Sequence, residues 1–216
     1  MLTDAALRSL LSRAPASLAG WYLGVERWFA GSTDQAAPLG GMVLDRIPGL
    51  ESAPRGAPSY TVRLWFGGVA CLREEIFREG QPFRKRVVNG TRSAQWDADT
   101  GRRAEADLGV EEQTLALATS ADPVVRPMAG LHSAAMIVCE EMAILGRTAF
   151  RVQVTPRGSE AEGVYWSGDR REFAVDSVLG VLLVDRWWSG ERLVAASHVT
   201  ELRQGVDPSD LLFRLS

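Results

Sequence analysis

Apolar and polar residues alternate along this chain with two different periods, and the change of period marks the elements. Near the start, Leu7, Leu10, Leu11 and Ala14 recur at the i, i+3, i+4, i+7 spacing that makes one apolar helical face. Thr3 or Asp4 stands where a helix cap belongs, and Pro15 is expected to end the helix. From Trp21 the period drops to two. WYLGVERWF (21–29) is aromatic and β-branched enough to predict a strand, and Tyr60, Val62, Leu64 and Phe66 alternate with Thr61 and Arg63. Gly67 and Gly68 then turn the chain into CLREEIFRE (71–79), and a turn at Gly80 leads into FRKRVV (83–88). Asn89–Gly90 is the dipeptide suited to a two-residue type I′ hairpin, because both positions accept φ > 0, with TRSAQW (91–96) as the partner strand. A turn at Asp99, Thr100 and Gly101 gives RRAEADL (102–108).

Residues 111–135 break this rhythm with two prolines and helix-friendly apolar residues, so one or two short helices are expected there. MIVCEEMAIL (136–145) fits either period. A turn at Gly146 and Arg147 into the cleanly alternating FRVQVT (150–155) favours a strand. VYWSG (164–168), REFAVD (171–176), VLLVDRWW (181–188) and RLVAASHVTEL (192–202) follow, with turns at Gly180 and at Ser189–Gly190. The predicted fold class is mainly β (α+β): an antiparallel, strongly twisted sheet of roughly ten or eleven strands, with helices against its concave face. Gly31, Pro38, Gly40, Gly41, Pro48, Gly49, Pro54, Gly56 and Pro58 make residues 30–58 a long irregular excursion and a candidate lid. At 216 residues, a single domain over 1–216 is expected.

Composition narrows the function. Twenty-four basic and 27 acidic side chains give a net charge of −3, which leaves no overall positive field for a nucleic acid. Arginine supplies all the basic residues except Lys85, which reads as the codon bias of a G+C-rich genome. Cys71 and Cys139 lie in apolar runs and are expected as buried free thiols rather than a bridge. His132 and His198, far apart and in no ligand spacing with those cysteines, leave no material for a metal site, and no cofactor is expected. No uncharged apolar run reaches the length of a membrane span. Asp4, Arg8 and Arg13 interrupt any signal-peptide core, so a cytoplasmic location is expected, with the cell envelope the alternative if the sequence is truncated.

Candidate chemistry is sparse. Ser133 follows His132 directly, but no orienting partner is visible, and no Cys/His pair or Gly-rich phosphate loop emerges. His198, Glu140 and Glu141 are weak catalytic candidates. The plainer reading makes His198 a strand histidine and leaves the two glutamates solvated or paired to Arg147 or Arg151. Seven tryptophans carry more weight. Core packing accounts for most of them. A ligand cavity would use Trp65, Trp96, Trp166 and Trp187, with Met128, Met136 and Met142 as adaptable surface, while Trp187 and Trp188 must point to opposite faces. Arg102, Arg103, Arg170 and Arg171 read as solvated turn residues rather than an anion site.

Three stretches taken together, VRLWFGG…REEIFREGQPFRKRVVNGTRSAQWDADTG (62–101), LGRTAFRVQVTPR (145–157) and FAVDSVLGVLLVDRWWSGERLVAASHVTELRQGVDPSDLLF (173–213), resemble the LolA, LolB and RseB group of lipoprotein carriers and sensors. The resemblance lies in strand and turn patterns: a strand with an arginine, a hairpin reading dG…w…d…tG, a Gly-Arg turn before a strand, and a final hairpin ending in Phe. It implies an unclosed β-barrel, a curved half-barrel with one to three helices over its concave face, whose interior holds acyl chains or another apolar ligand. In that scheme residues 111–135 match the helical plug, and 30–58 depart from it as a second lid. The implied function is non-catalytic binding or carriage of an apolar or acylated small molecule or lipid. Two alternatives stand beside it: a cytoplasmic cyclase or isomerase acting on a hydrophobic intermediate through Glu140, Glu141 or His198, and a regulatory module that binds a protein partner.

Overall fold

The computed structural model describes residues 2–29, 60–68, 71–107, 124, 127, 131, 134–155, 170–207 and 213. Within them lie α1 (Asp4–Ser12), α2 (Ala14–Ser17), β1 (Trp21–Phe29), β2 (Tyr60–Gly68), β3 (Cys71–Arg78), β4 (Gln81–Asn89), β5 (Arg92–Asp97) and β6 (Arg103–Asp107). The second half supplies β7 (Ala135–Ile144), β8 (Arg147–Thr155), β9 (Arg170–Asp176), β10 (Leu182–Ser189) and β11 (Arg192–Gln204). The expected strands at 21–29, 136–145 and 192–202 are therefore β1, β7 and β11. The expected strand at 164–168, the 30–58 excursion and the body of the 111–135 helices lie outside the described residues.

The strands form one antiparallel sheet in the order β6-β5-β4-β3-β2-β1-β11-β10-β9-β8-β7. A plain meander would have kept β6 beside β7. Instead the chain lays out β1 to β6 in one direction and resumes at the opposite edge with β7. It then returns until β11 pairs with the whole length of β1, from Trp21↔Gln204 to Phe29↔Ala195. Among the described residues the sheet stays open, with β6 and β7 as its edges. It is also strongly bent. The Arg147 guanidinium on β8 lies 5.4 Å from the Trp21 ring centre on β1. Four strand steps separate β8 from β1, roughly 19 Å in a flat sheet, so the contact requires the sheet to curl into a half-barrel.

Three hairpins differ from expectation by one residue; at the expected Ser189–Gly190 turn, Ser189 pairs with Arg192 and the loop is Gly190–Glu191. Asn89 pairs with Arg92, so Asn89 ends β4 and the loop is Gly90–Thr91, with Gly90 at φ 59° in the first central position. That is the glycine-first geometry of a type II′ loop rather than the Asn-Gly of type I′. Ile144 pairs with Arg147, which makes Leu145–Gly146 the loop there, with φ of 52° and 70°.

The predicted amphipathic helix forms as α1. Thr3 caps it, its hydroxyl accepting from the Ala6 N–H at 3.2 Å, and Leu7, Leu10 and Leu11 are buried. The helix ends at Ser12 rather than at Pro15. Pro15 instead sits in the first turn of α2, where a missing N–H costs nothing. Arg8 ties α1 down by donating to the Leu131 and Ala134 carbonyls at 2.8 and 2.6 Å. The leucines of α1 then pack on Met136, Val152, Val154, Phe173, Val175 and Leu182, covering the β7–β10 half of the sheet. A second apolar cluster takes in Leu23, Val25, Val62, Leu64, Leu72 and Val88 of β1–β4 and reaches Ala149, Ala174, Leu183 and Val199 on β8 to β11.

Candidate functional site

The buried face of the sheet is defined by period-two alternation, and charged residues fall in phase with its apolar ones. On β1, Arg27 follows Leu23 and Val25; on β3, Glu74 sits between Leu72 and Ile76; on β9, Arg171 precedes Phe173 and Val175. Asp185 and Trp187 occupy the equivalent positions on β10. Arg27, Glu74, Arg171 and Asp185 are 1%, 6%, 1% and 2% exposed. Cross-strand pairs group them in two places: Arg86 opposes Glu74 on β4 and β3, while Arg27 opposes Ser197, Ser197 opposes Asp185, and Trp187 opposes Arg171 from β1 to β9. Between the two groups, Leu64 opposes Glu74 and Tyr60 opposes Arg27 on β2, and the Glu74 charge still acts on Arg27.

Arg171 grips Asp185 with both prongs, Nε donating to Oδ1 at 2.7 Å and Nη2 to Oδ2 at 2.9 Å. Its guanidinium also lies 4.9 Å from the Trp187 ring centre and 5.4 Å from that of Phe173. Burial lowers the Arg27 pKa to about 9, against the pull of the Glu74 and Asp185 charges. Burial likewise pushes Glu74 up, opposed by Arg86, Arg27 and Arg84, and pushes Arg86 down, opposed by Glu74. Buried ion pairs of this kind add little net stability over apolar residues of the same volume. Arg171, expected as a solvated turn residue, is instead among the most buried side chains, because β9 begins at Arg170 and puts Arg171 in phase with the core; Arg102, Arg103 and Arg170 are exposed as expected.

The tryptophans and methionines singled out from sequence do not gather in one place. Trp187 and Met136 lie on the buried face, Met136 beneath α1. Trp65 alternates to the opposite face, where its ring meets Tyr22 at 5.1 Å and Arg73 at 5.4 Å. Trp96 on β5 and Met142 on β7 are each 37% exposed. Met128 and Trp166 lie outside the described residues. Trp187 and Trp188 do point to opposite faces, Trp188 stacking under Arg170 at 4.6 Å.

The three acid/base candidates are also apart. Glu140 and Glu141 are exposed on β7, and Glu140 pairs with Arg151 at 2.9 Å. Arg147 goes instead to Asp176, whose Oδ1 also accepts from the Val178 and Leu179 N–H groups. His198 on β11 faces away from Ser197 and Val199, opposite Glu26 and Val184, and its buried Nδ1 has no hydrogen-bond partner. Burial, and then the Arg186 charge, lower its pKa; burial raises that of Glu26. His132 and Ser133 lie outside the described residues, and no cluster of three His, Cys, Asp or Glu suited to a metal occurs among those described. Cys71 and Cys139 are not bridged to each other, and only Cys71 is buried. Cys139, expected inside, is exposed because the edge strand bulges at that point. No described helix is long and apolar enough to cross a membrane.

No family model matches the chain, and no curated protein does. Solved structures do match. The crystal structure of MucB superposes with a TM-score of 0.53 at 17% identity, over 99% of this chain and 64% of that one. The fold is LolA/RseB-like. The Pseudomonas aeruginosa MucA/MucB complex gives the same TM-score at 15% identity, over 97% of this chain and 61% of that one. The Mycobacterium tuberculosis lipoprotein LppX gives 0.45 at 14% identity, over 95% of this chain and 100% of that one. The chain spans 60% to 64% of the length of the MucB chains. Arg27, Glu74 and Asp185, buried on the inner face of this LolA/RseB-like half-barrel, are not among the residues singled out from sequence, though the signal is present. A charged residue at every second position of an otherwise apolar strand, as in Leu23-Val25-Arg27, points inward by alternation alone.

Proposed function

We propose that the protein is a non-catalytic binding protein that holds an apolar or acylated molecule against the buried face of its half-barrel. The observation that carries this reading is the make-up of that face: aliphatic side chains from β1 to β4 beside buried charges, with Glu140 and His198 off it and Glu141 exposed at its β7 rim. Leu23, Val25, Val62 and Leu64 are fully withdrawn from water, so uptake requires the half-barrel to open; these side chains then offer apolar area for affinity and the fixed charges orientation.

Mass spectrometry of freshly purified protein, under native and then denaturing conditions, tests the reading. A copurifying mass released on denaturation supports it. If none appears, the delipidated protein is titrated with a fluorescent fatty-acyl probe while tryptophan emission is followed, since Trp187 lies on the face concerned. Absence of both a copurifying species and saturable uptake of the probe would overturn the proposal.

A second reading has one observation in its favour. The matched MucB structures include complexes with MucA, and a LolA/RseB-like chain that binds a protein segment would use the same half-barrel or its edges. Failure of lipid uptake together with capture of an extended peptide would favour it.

A further inference from the structure

Five large apolar side chains are exposed among the described residues: Trp96, Ile137, Met142, Leu145 and Val178, at 37%, 61%, 37%, 46% and 68%. Four of them lie on or beside β7. Ile137 and Met142 lie on β7, Leu145 in the loop after it, and Val178 in the turn after β9, where the Ser177 N–H donates to the Thr148 carbonyl beside that loop. β7 is also an edge of the sheet, so the outer backbone of its ten residues has no strand partner among the described residues. The other edge is guarded in the usual way, by a short β6 carrying Arg103, Glu105 and Asp107.

The bulge in β7 decides what fits there. Pairing with β8 jumps from Val138↔Val152 to Glu140↔Arg151, leaving Cys139 as the extra residue, so the alternation reverses at that point. Before the bulge, Met136 and Val138 face the core and Ile137 faces out. After it, Glu140 and Met142 face out and Glu141 and Ala143 face in. Two antiparallel copies of β7 centred on Cys139–Glu140 would oppose Ala135 with Ile144, Met136 with Ala143, Ile137 with Met142, and Val138 with Glu141. Outward then meets outward and inward meets inward along the whole strand. A shift of one residue sets outward against inward at each of these pairs. The centred register also lets the exposed Ile137 and Met142 cover each other, and it places Glu140 opposite Cys139 rather than another glutamate.

We propose that this edge docks a second copy of the chain, β7 pairing antiparallel with β7 in that register to make an isologous dimer. The interface is independent of whether the half-barrel holds a ligand.

Disulfide trapping tests the register. In the full chain with Cys139→Ser, the double variant Ile137→Cys/Met142→Cys is exposed to oxidised glutathione. Directly opposed positions bring Cα atoms to about 4.5–5.5 Å, within disulfide reach. The same two residues are roughly 17 Å apart within one strand, so they cannot bridge internally. A reducible covalent dimer is expected from the double variant, and none from either single cysteine variant, whose thiol would face Met142 or Ile137. Sedimentation of the unmodified protein over a concentration series should show a monomer–dimer equilibrium, which Ile137→Lys weakens at least tenfold. A monomer at every soluble concentration, or cross-linking by the single variants as readily as by the double, would overturn the proposal.

Discussion

Asp185 and Arg171 form a two-pronged ion pair at 2.7 and 2.9 Å on a face where each is almost fully withdrawn from water. Removing one partner leaves the other charge buried without compensation, which costs about 3–5 kcal/mol, whereas replacing both with apolar residues of similar volume is often neutral. Asp185→Ala should therefore lose about that much stability. Arg171→Met/Asp185→Leu should recover most of the loss, even though Asp185 also acts on Arg27. Denaturant titration of the three proteins checks this, and a double variant no more stable than Asp185→Ala would show that the pair is a net stabiliser.

The two thiols should react very differently. Cys139 is exposed at the β7 bulge, while Cys71 is buried at the start of β3 and burial raises its pKa. Thiolate is the reactive species. A thiol-specific chromogenic reagent should modify one equivalent quickly in the folded protein and the second only as the chain unfolds. Cys139→Ser should abolish the fast phase and leave the slow one. Two fast equivalents in the native protein would contradict the burial of Cys71.

Much of the sheet was legible because its signals are local. Tyr60-Val62-Leu64-Phe66 alternates so regularly that β2 is nearly written out, and Phe150-Val152-Val154 does the same for β8. The order of the strands was not legible, since nothing within 21–29 says that β1 will pair with β11 rather than lie at an edge. That choice is settled by contacts far apart in sequence. The hairpin registers missed by one residue for a related reason: glycine at the first loop position satisfies the same twist as Asn-Gly, and the composition of 89–91 permits both. The site was the least visible part. Large aromatic residues drew attention to Trp65 and Trp96, yet their faces depend on registers and edges. Arg27, Glu74 and Asp185 are hard to see because charged residues are almost never fully buried unless paired, and their partners lie on other strands.

Gly180 should tolerate no side chain. Its φ is 72°, and a Cβ built there would lie 2.1 Å from the Leu10 carbonyl oxygen, a backbone atom of α1 that cannot turn aside. Gly180→Ala therefore combines left-handed strain with displacement of the helix that covers β7–β10, and should cost roughly 2–3 kcal/mol. Gly90→Ala provides the control, with φ 59° but open space around it, and should cost about 1–2 kcal/mol from strain alone. Thermal unfolding of both measures the difference. Equal losses would mean that α1 yields without penalty.

Stability should depend on pH through His198. Burial and the Arg186 charge hold its folded pKa below the ordinary value of about 6.5. Between the folded and ordinary values the unfolded chain binds the extra proton, so stability is complete above about pH 6.5 and declines as pH falls toward the folded value. Glu26, across the strand and raised by burial, has the opposite sign: its contribution is lost as pH rises from about 4.3. Comparing unfolding midpoints of the unmodified protein and His198→Gln from about pH 7.5 down to about 5 cancels what the two share. The unmodified protein should lose stability on acidification more steeply than the variant. Parallel curves would place the His198 ring in water, contrary to its buried Nδ1.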